Sequence, residues 1–160
     1  MSEPVIRLMT ADDKKLVHEF YDAMGPETRF FVNRREGNRK FNDRYLDGKE
    51  PNARFYLAEE DGKMVGLVFL WDMDTGIPWL GIAVRDDYKG KHLGRKLIAH
   101  AQHIAEETGK GGILLTTAPA NIRGQALYEN MGFILQGNCF YAGGELLYLW
   151  RVKSYSKNIM

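Results

Sequence analysis

The sequence predicts an α/β (α+β) fold, with helices packed on one mixed sheet. Short runs of β-branched and aromatic residues alternate with segments whose apolar residues recur at helical spacing. The chain has 160 residues, 44% of them hydrophobic, which suffices for one core. Because it shows no internal repeat and no linker, we expect a single domain of residues 1–153 followed by a polar tail of residues 154–160.

The N-terminal part predicts a strand followed by a helix. Val5–Leu8 is short and β-rich. Thr10, followed three residues later by Asp13, resembles a capping box, which begins a helix. The apolar face that follows ends at Gly25-Pro26, a pair that stops helices.

Residues 27–52 interleave aromatic and basic side chains, and three interpretations fit them. Such residues can stack on nucleic-acid bases. They also suit one or two short helices with an inward aromatic face and a solvated basic face, which is the interpretation we favour. The third is a segment that faces a substrate. The formal net charge of +1 argues against nonspecific nucleic-acid binding as the main activity, since that mode needs a large basic excess.

The middle of the chain predicts an antiparallel meander. Arg54–Glu60 and Lys63–Trp71 are apolar runs joined by Asp61-Gly62, a strong signal for a tight hairpin. Pro78–Val84 follows as the third strand. After a helix, Ile113–Thr117 returns on the far side, and a strand, a helix and a strand in this order imply one parallel pairing.

The chain is organised around residues 88–97, a basic turn punctuated by glycine that leads into a helix. Leu93 begins the helical spacing and Gly109 ends it. Unpaired N–H groups and the positive end of a helix dipole meet at such a point, which suits a phosphate. Neither the closing lysine-serine or lysine-threonine pair of a P-loop nor the glycine spacing of the dinucleotide fingerprint is present. Taken alone, such a turn can equally serve tight geometry and solubility.

The C-terminal third predicts a helix and two closing strands. Asn121 is a candidate N-cap, and Gly132 is a candidate left-handed stop. The closing strands are Phe133–Gln136 and Glu145–Val152. On the apolar side of the helix we expect Ile122, Ala126 and Leu127.

Asn121 and Tyr128 are seven residues apart, so a helix would place an amide and a phenol on nearly the same face, about 10 Å from each other. Alone, this pair fits a capping asparagine and a packed tyrosine. Together with the basic turn, it resembles the Gcn5-related N-acetyltransferase (GNAT) superfamily. The first motif of that superfamily, Arg/Gln-x-x-Gly-x-Gly/Ala after a strand, corresponds to residues 89–94, and its second motif to Asn121, Tyr128 and Gly132-Phe133. The order of strands and helices along nearly the whole chain is similar too.

The resemblance implies a GNAT-like sheet of six to seven strands, mostly antiparallel, with a splayed central strand pair. It implies an enzyme that transfers the acetyl group of acetyl-CoA to a primary amine of a small molecule or peptide by direct attack. Tyr128 would be the general acid, Asn121 would hold the pantetheine arm, and no metal would take part. The resemblance assigns acetyl-CoA binding to Ile82, Ala83, Val84, Lys89, Gly90, Lys91, His92, Leu93, Gly94, Arg95 and Asn121.

Two residues depart from the superfamily pattern. Lys89 replaces the usual arginine or glutamine, which keeps a donor but loses planar geometry. His92 stands where glycine is usual, so its Cβ could crowd the phosphates or turn the backbone. The general base is also open, because Pro78–Val84 contains no carboxylate. The weak candidates are a water chain and three residues that fit ordinary turns, Asp72, Asp74 and Asp86.

Other polar and aromatic residues fit ordinary roles. His100 and His103 lie three apart without a further ligand in sight, which predicts a solvated pair rather than a metal site. Cys139 cannot form an internal disulfide, and its strand-like neighbours predict a packed thiol in a reducing compartment. Trp71 and Trp79 fit either an acceptor pocket or the core.

The sequence also gives expectations for the location of the protein and for its contact with membranes. Its longest apolar run, Met64–Trp71, is far shorter than the roughly 20 residues that span a bilayer. The N-terminus has no secretory signal. We therefore expect a cytoplasmic protein without membrane contact, and homodimerisation would suit the closing strands. The alternative to an enzyme is a non-catalytic acyl-CoA sensor of the same fold that acts on a partner through residues 27–52.

Overall fold

The computed structural model describes residues 3–32 and 38–153, which contain a seven-stranded sheet of order β1-β2-β3-β4-β5-β7-β6. The strands are β1 (Val5–Leu8), β2 (Arg54–Glu60), β3 (Lys63–Trp71), β4 (Trp79–Val84), β5 (Gly112–Thr117), β6 (Ile134–Cys139) and β7 (Glu145–Arg151). All neighbouring strands are antiparallel except β4 and β5, which are parallel. The predicted mixed sheet with one parallel pair is confirmed.

Helices cover the sheet on two faces. They are α1 (Lys14–Asp22), α2 (Pro26–Val32), α3 (Asn38–Leu46), α4 (Leu93–Glu107) and α5 (Ile122–Asn130). α4 packs on β3, β4 and β5, whereas α1 and α3 pack on β3 and β2 from the opposite face. Predictions that fall on residues 33–37, among them Arg34 and Arg35, and on the tail, 154–160, lie outside the described residues.

The hairpin and the short helices predicted from local patterns are confirmed. Asp61 and Gly62 have φ angles of 52° and 77°, the left-handed values that a two-residue hairpin turn requires. In α3, the ring centroid of Phe41 lies 5.5 Å from that of Phe55 and 5.8 Å from that of Phe69. The aromatic face of this helix is therefore directed at the core.

α5 buries a different side from the one we expected. Ile122 is 70% exposed and Ala126 is also exposed, whereas Leu127 is half-buried and Tyr128 is buried. The reason is that α5 contributes to the core near its C-terminal end, where the ring of Tyr128 contacts that of Phe133. The apolar residues earlier in the helix stay in solvent, and the prediction for them was wrong.

Cys139 and one of the helical histidines also differ from expectation. Cys139 is half-buried at the end of β6, and its neighbour Phe140 is 87% exposed in a short 3-10 turn rather than in a strand. His100 is half-buried, with its ring centroid 4.5 Å from that of Tyr56, and only His103 is exposed. His100 differs from His103 because it packs against Tyr56 of β2. Helical spacing does not reveal a contact with a residue so far away in the sequence.

Residues 3–32 and 38–153 contain neither a membrane-spanning helix nor a cluster of side chains that could hold a metal ion. No helix in these ranges is long and apolar enough to cross a membrane. Nor do they bring together three or more histidine, cysteine, aspartate or glutamate side chains that could hold a metal ion.

An ion pair ties the start of the helical layer to the sheet. The carboxylate of Asp13, which is 5% exposed, accepts hydrogen bonds from Arg7 at 2.8 and 2.9 Å and from the Thr10 N–H at 2.8 Å. Arg7 of β1 also donates to Glu59 of β2 at 3.0 Å. Because the Arg7 guanidinium stabilises the ionised carboxylate, the pKa of Asp13 lies below its ordinary value.

Replacing Asp13 by asparagine should lower the free energy of unfolding by about 1–3 kcal/mol at neutral pH, because Arg7 would lose its charged partner. The folded pKa of Asp13 is lowered, so its contribution is fully present above the unfolded pKa of about 3.9 and is lost as the pH falls through the folded value. Urea denaturation at a series of pH values should show the deficit shrink below about pH 4.

Asp12→Asn, at the exposed neighbouring position, is the control and should match the wild type in stability. A deficit of Asp13→Asn that stays undiminished in acid would contradict the assignment to the ion pair.

Candidate functional site

β4 and β5 part from each other beyond their first residues. They share one bridge, between Trp79 and Leu114, next to the hydrogen bond that the Leu114 N–H donates to the Pro78 carbonyl at 2.9 Å. Farther along, β4 stays paired with β3 to Val84, and β5 stays paired with β7 to Thr117. The sheet therefore divides into two halves around a wedge-shaped gap, and the predicted splayed central pair is confirmed.

The free edge of β4 presents backbone groups to this gap. Successive residues of a strand direct their N–H and C=O groups to opposite edges. The Arg85 N–H donates to Val65 on β3 at 2.9 Å, whereas the Pro78 carbonyl faces β5. By this alternation, the amides and carbonyls of Ile82 and Val84 face the gap. An extended ligand chain can pair with them as an added strand does.

Residues 89–92 connect this part of the sheet to α4 in a tight turn. Gly90 and His92 have φ angles of 82° and 66°, both left-handed. No side chain caps α4, and the amides of Leu93, Gly94 and Arg95 donate to no backbone carbonyl in the described part of the chain. These free N–H groups and the helix dipole form a site for an anion.

The backbone conformation of His92 explains why glycine is usual at this position in the superfamily. A left-handed φ costs a residue with a Cβ roughly 1–2 kcal/mol, although histidine is among the types that adopt it more often than most. His92 is exposed, so its side chain meets solvent rather than the core. The departure from glycine therefore affects the conformation of the turn, and the His92 side chain is also among the residues that line the cavity described next.

A cavity of about 380 Å³ lies where β4, the turn, α2 and the N-terminal ends of α4 and α5 meet. It brings together the residues predicted to bind a cofactor, with the exception of Lys91, whose ammonium lies 5.0 Å from the ring centroid of Tyr88. The cavity is lined by Glu27, Thr28, Ile82, Ala83, Val84, Tyr88, Lys89, Gly90, His92, Leu93, Gly94, Arg95, Asn121, Arg123, Gly124 and Leu127.

Asn121 is the N-cap of α5, as predicted. Its Oδ1 accepts a hydrogen bond from the Gly124 N–H at 3.1 Å, and its Nδ2 donates to the Thr117 hydroxyl at 3.1 Å. These two contacts fix the amide between the end of β5 and the first turn of α5, in the wall of the cavity.

Tyr128 lies behind the cavity rather than in its wall. It is 7% exposed, and its ring centroid is 6.2 Å from that of Phe133 and 6.1 Å from that of Tyr148. Burial raises the pKa of Tyr128 to about 12. Asn121 thus lines the cavity, whereas Tyr128 is buried in the core. Leu127 lines the wall instead.

Asp86 fastens α2 to the turn. Its carboxylate accepts hydrogen bonds from the Gly25 N–H at 2.9 Å and from the Thr28 hydroxyl at 2.6 Å, and the Lys89 ammonium donates to the same hydroxyl oxygen at 2.5 Å. The hydrogen bond from Thr28 does most to lower the pKa of Asp86. Among the three carboxylates that we considered as general bases, Asp86 is thus a poor acceptor of protons.

Sequence reasoning missed the parts of the wall that come from α2 and α5. Thr28 is 58 residues from Asp86 in the chain, and no local pattern indicates a contact over such a separation. Arg123, Gly124 and Leu127 could have been found, since they follow the N-cap at helical spacing and so share one face of α5.

The sheet is split around a gap, and a turn with free N–H groups leads into its central helix. Comparisons with known proteins show which family has this architecture. The chain belongs to the acetyltransferase (GNAT) family, whose family model matches residues 16–133. It is 29% identical over 96 residues to the streptothricin acetyltransferase of Streptomyces lavendulae, which covers 57% of this chain and 50% of that one. The chain spans between 32% and 56% of the length of the curated relatives it matches.

Solved structures share the fold. The GNAT domain of S. lividans PAT has a TM-score of 0.82 at 15% identity, over 93% of this chain and 90% of that chain. The paia N-acetyltransferase from Thermoplasma acidophilum, solved in complex with coenzyme A, has a TM-score of 0.71 at 16% identity, over 94% and 100% of the two chains. At these identities the likeness shows the fold alone.

Replacing His92 by glycine should raise the free energy of unfolding by up to about 1 kcal/mol, because glycine adopts a left-handed φ without a steric penalty. Valine at the same position should lower it by more than about 1 kcal/mol, because β-branched residues are outliers in this conformation. Equilibrium denaturation in urea measures both changes.

The control is Lys91→Gly, since Lys91 has an ordinary negative φ. Glycine there should only increase the conformational entropy of the unfolded chain and so lower the free energy of unfolding. A gain in stability from glycine at both positions would contradict the assignment of strain to His92.

Proposed function

We propose that this chain is an N-acetyltransferase that moves the acetyl group of acetyl-CoA to a primary amine of a small molecule or peptide. The observation that carries the proposal is the meeting, in one cavity, of the amide-rich turn before α4 and the free edge of β4. A pyrophosphate linked to a pantetheine arm needs such a pair of neighbouring sites. Membership of the GNAT family supports the reaction type, and the coenzyme A bound to a protein of the same fold supports the donor.

Each part of the donor has a matching part of the cavity. In this proposal the pyrophosphate lies on the N–H groups of residues 89–95. The pantetheine arm pairs with the backbone of Ile82 and Val84, which faces the gap, and passes Ala83, which also lines the cavity. Asn121 holds its far side. The thioester then enters the space between β4 and β5.

The reaction needs no covalent intermediate with the protein. The neutral amine nitrogen forms a bond to the thioester carbonyl carbon, the carbon–sulfur bond breaks, and coenzyme A leaves as a thiolate. The Ile82 N–H, which faces the gap, is a donor for the oxyanion that forms on the way. The amine loses its proton to water or to a base, and Tyr128 gives a proton to the leaving sulfur and regains one from solvent.

The raised pKa of Tyr128 keeps the phenol protonated but makes it a weaker acid. With a pKa of about 12 the phenol stays protonated at every pH near neutrality. A free thiol has a pKa of about 8.5, and burial beside the phenol would raise the pKa of the leaving thiol and so narrow the difference between the two groups. Tyr128 adjoins the cavity through its neighbour Leu127 and must gain access to the sulfur when the donor binds.

The burial of Tyr128 is also the observation that favours an alternative, a non-catalytic acyl-CoA sensor of the same fold. A sensor needs the turn and the edge of β4 but no proton donor. For the acetyltransferase, the relationship to an enzyme named for streptothricin supports a small-molecule acceptor. A homodimer through β6 and β7 is compatible with either function.

Replacing Tyr128 by phenylalanine separates the two functions. We expect kcat to fall by roughly 10²- to 10⁴-fold, because the leaving thiolate loses its general acid, while the affinity for acetyl-CoA stays within about twofold. Release of free thiol from acetyl-CoA, read colorimetrically against a panel of amines, amino acids, antibiotics and short peptides, measures turnover. Calorimetric titration measures affinity.

Tyr148→Phe is the matched control, since Tyr148 is a second buried tyrosine, whose hydroxyl donates to Glu129 at 2.7 Å. It should keep kcat, which excludes a general effect of altering the aromatic core. Full turnover in Tyr128→Phe would remove the general acid from the mechanism. Tight binding of acetyl-CoA by the wild type without thiol release from any acceptor would favour the sensor.

Replacing Asn121 by alanine should weaken acetyl-CoA binding by about tenfold through loss of the amide and lower the free energy of unfolding by about 1 kcal/mol through loss of the N-cap. Asn121→Ser keeps a capping oxygen, so this variant should regain the stability of the wild type but should bind acetyl-CoA as weakly as Asn121→Ala. Thermal unfolding and calorimetric titration measure the two effects. Unchanged affinity in both variants would contradict the proposed place of the pantetheine arm.

A further inference from the structure

Two arginines in the wall of the cavity have no anionic partner in the described part of the chain. Arg95 and Arg123 are both exposed lining residues, and neither makes a hydrogen bond or ion pair with a side chain or backbone group that the structure describes. Lys89, another cation of the cavity, is by contrast engaged by the Thr28 hydroxyl. Among the described lining residues, Glu27 is the single acid. The cavity therefore holds an excess of positive charge.

Both arginines occupy positions that are unfavourable for a cation. Arg95 lies in the first turn of α4 and Arg123 in the first turn of α5, and neither turn contains an acidic residue. A positive side chain at a helix N-terminus opposes the helix dipole. An anion bound beside these two helix ends would turn an unfavourable arrangement into a favourable one.

The N-terminal part of α4 lies against α5 beside the cavity. A Cβ added to Gly94 would lie 2.9 Å from Cδ2 of Leu127, so α4 and α5 touch at this point. Arg95 follows Gly94 directly. Arg123 precedes Leu127 by four residues, one turn nearer the N-terminus on the same face of α5. Both arginines thus lie on helix ends that line the same cavity.

We propose that Arg95 and Arg123 together hold the 3′-phosphate of coenzyme A, so that this chain distinguishes coenzyme A from its 3′-dephospho form. The inference rests on the proposed function. Coenzyme A carries two separate anionic groups, a pyrophosphate and a phosphate monoester on the ribose. The backbone amides of the turn are aimed at the pyrophosphate. A phosphate monoester, with a charge of about −1.5 to −2 at pH 7, is the group that paired guanidiniums match best.

Calorimetric titration with coenzyme A and with 3′-dephospho-coenzyme A tests the inference. The wild type should bind coenzyme A roughly 10- to 100-fold more tightly than the dephospho form, which is the range expected of charge-assisted hydrogen bonds to one phosphate. Arg95→Ala and Arg123→Ala should each lose about tenfold in affinity for coenzyme A and stay within about twofold for the dephospho form. The double variant should bind both ligands equally.

Lys96→Ala is the control, because Lys96 follows Arg95 on α4 but lies outside the cavity and near Glu3, at 3.8 Å. It should keep the preference of the wild type. Equal affinity of the wild type for the two ligands would overturn this inference and leave the proposed function standing. If Arg95→Ala and Arg123→Ala lost affinity equally for both ligands, the arginines would be assigned to the pyrophosphate, and this inference would be overturned as well. If the wild type bound neither ligand, the proposed function itself would fall, and this inference with it.

Discussion

The structure depends on a strand that is hydrogen-bonded along only one edge for most of its length. β4 keeps its ladder with β3 to Val84, whereas β5 diverges to follow β7. A break of this kind would expose the interior if nothing covered it. α4 covers it, since the helix packs on β3, β4 and β5 together and contributes to one continuous core. The cavity thus exists because a discontinuous sheet lies on a continuous hydrophobic layer.

Sequence patterns predicted those parts of the fold that depend on neighbours along the chain. The turn at Asp61-Gly62, the stop at Gly109 and the cap at Asn121 each follow from the backbone preferences of one or two residues. The same patterns failed where burial is decided at a distance. His100 is half-buried because Tyr56 lies opposite it, and Ile122 is exposed because no element covers it.

In the candidate site, too, local features could be predicted from the sequence and contacts between distant residues could not. Its backbone could be predicted, because a strand, a glycine-containing turn and a helix start are local features, and the turn lies in the cavity as expected. The directions of side chains could not. Lys91 turns toward Tyr88, Tyr128 is packed behind the wall, and Thr28 enters from another helix. Periodicity predicts the face of a helix on which a residue lies, but not which other elements cover that residue.

The manner in which α4 meets the two halves of the sheet has a consequence for how such a domain can diversify. The helix approaches the core with small side chains, among them Ala101 and Ala105, both completely buried. A larger residue at either position would lift the helix and alter the angle between the halves without touching the cavity. The width of the gap between β4 and β5 therefore depends on how α4 packs on the sheet as well as on the residues that line the cavity. A change in the shape of this gap can thus arise from the packing of a helix and leave the residues that line the cavity unchanged.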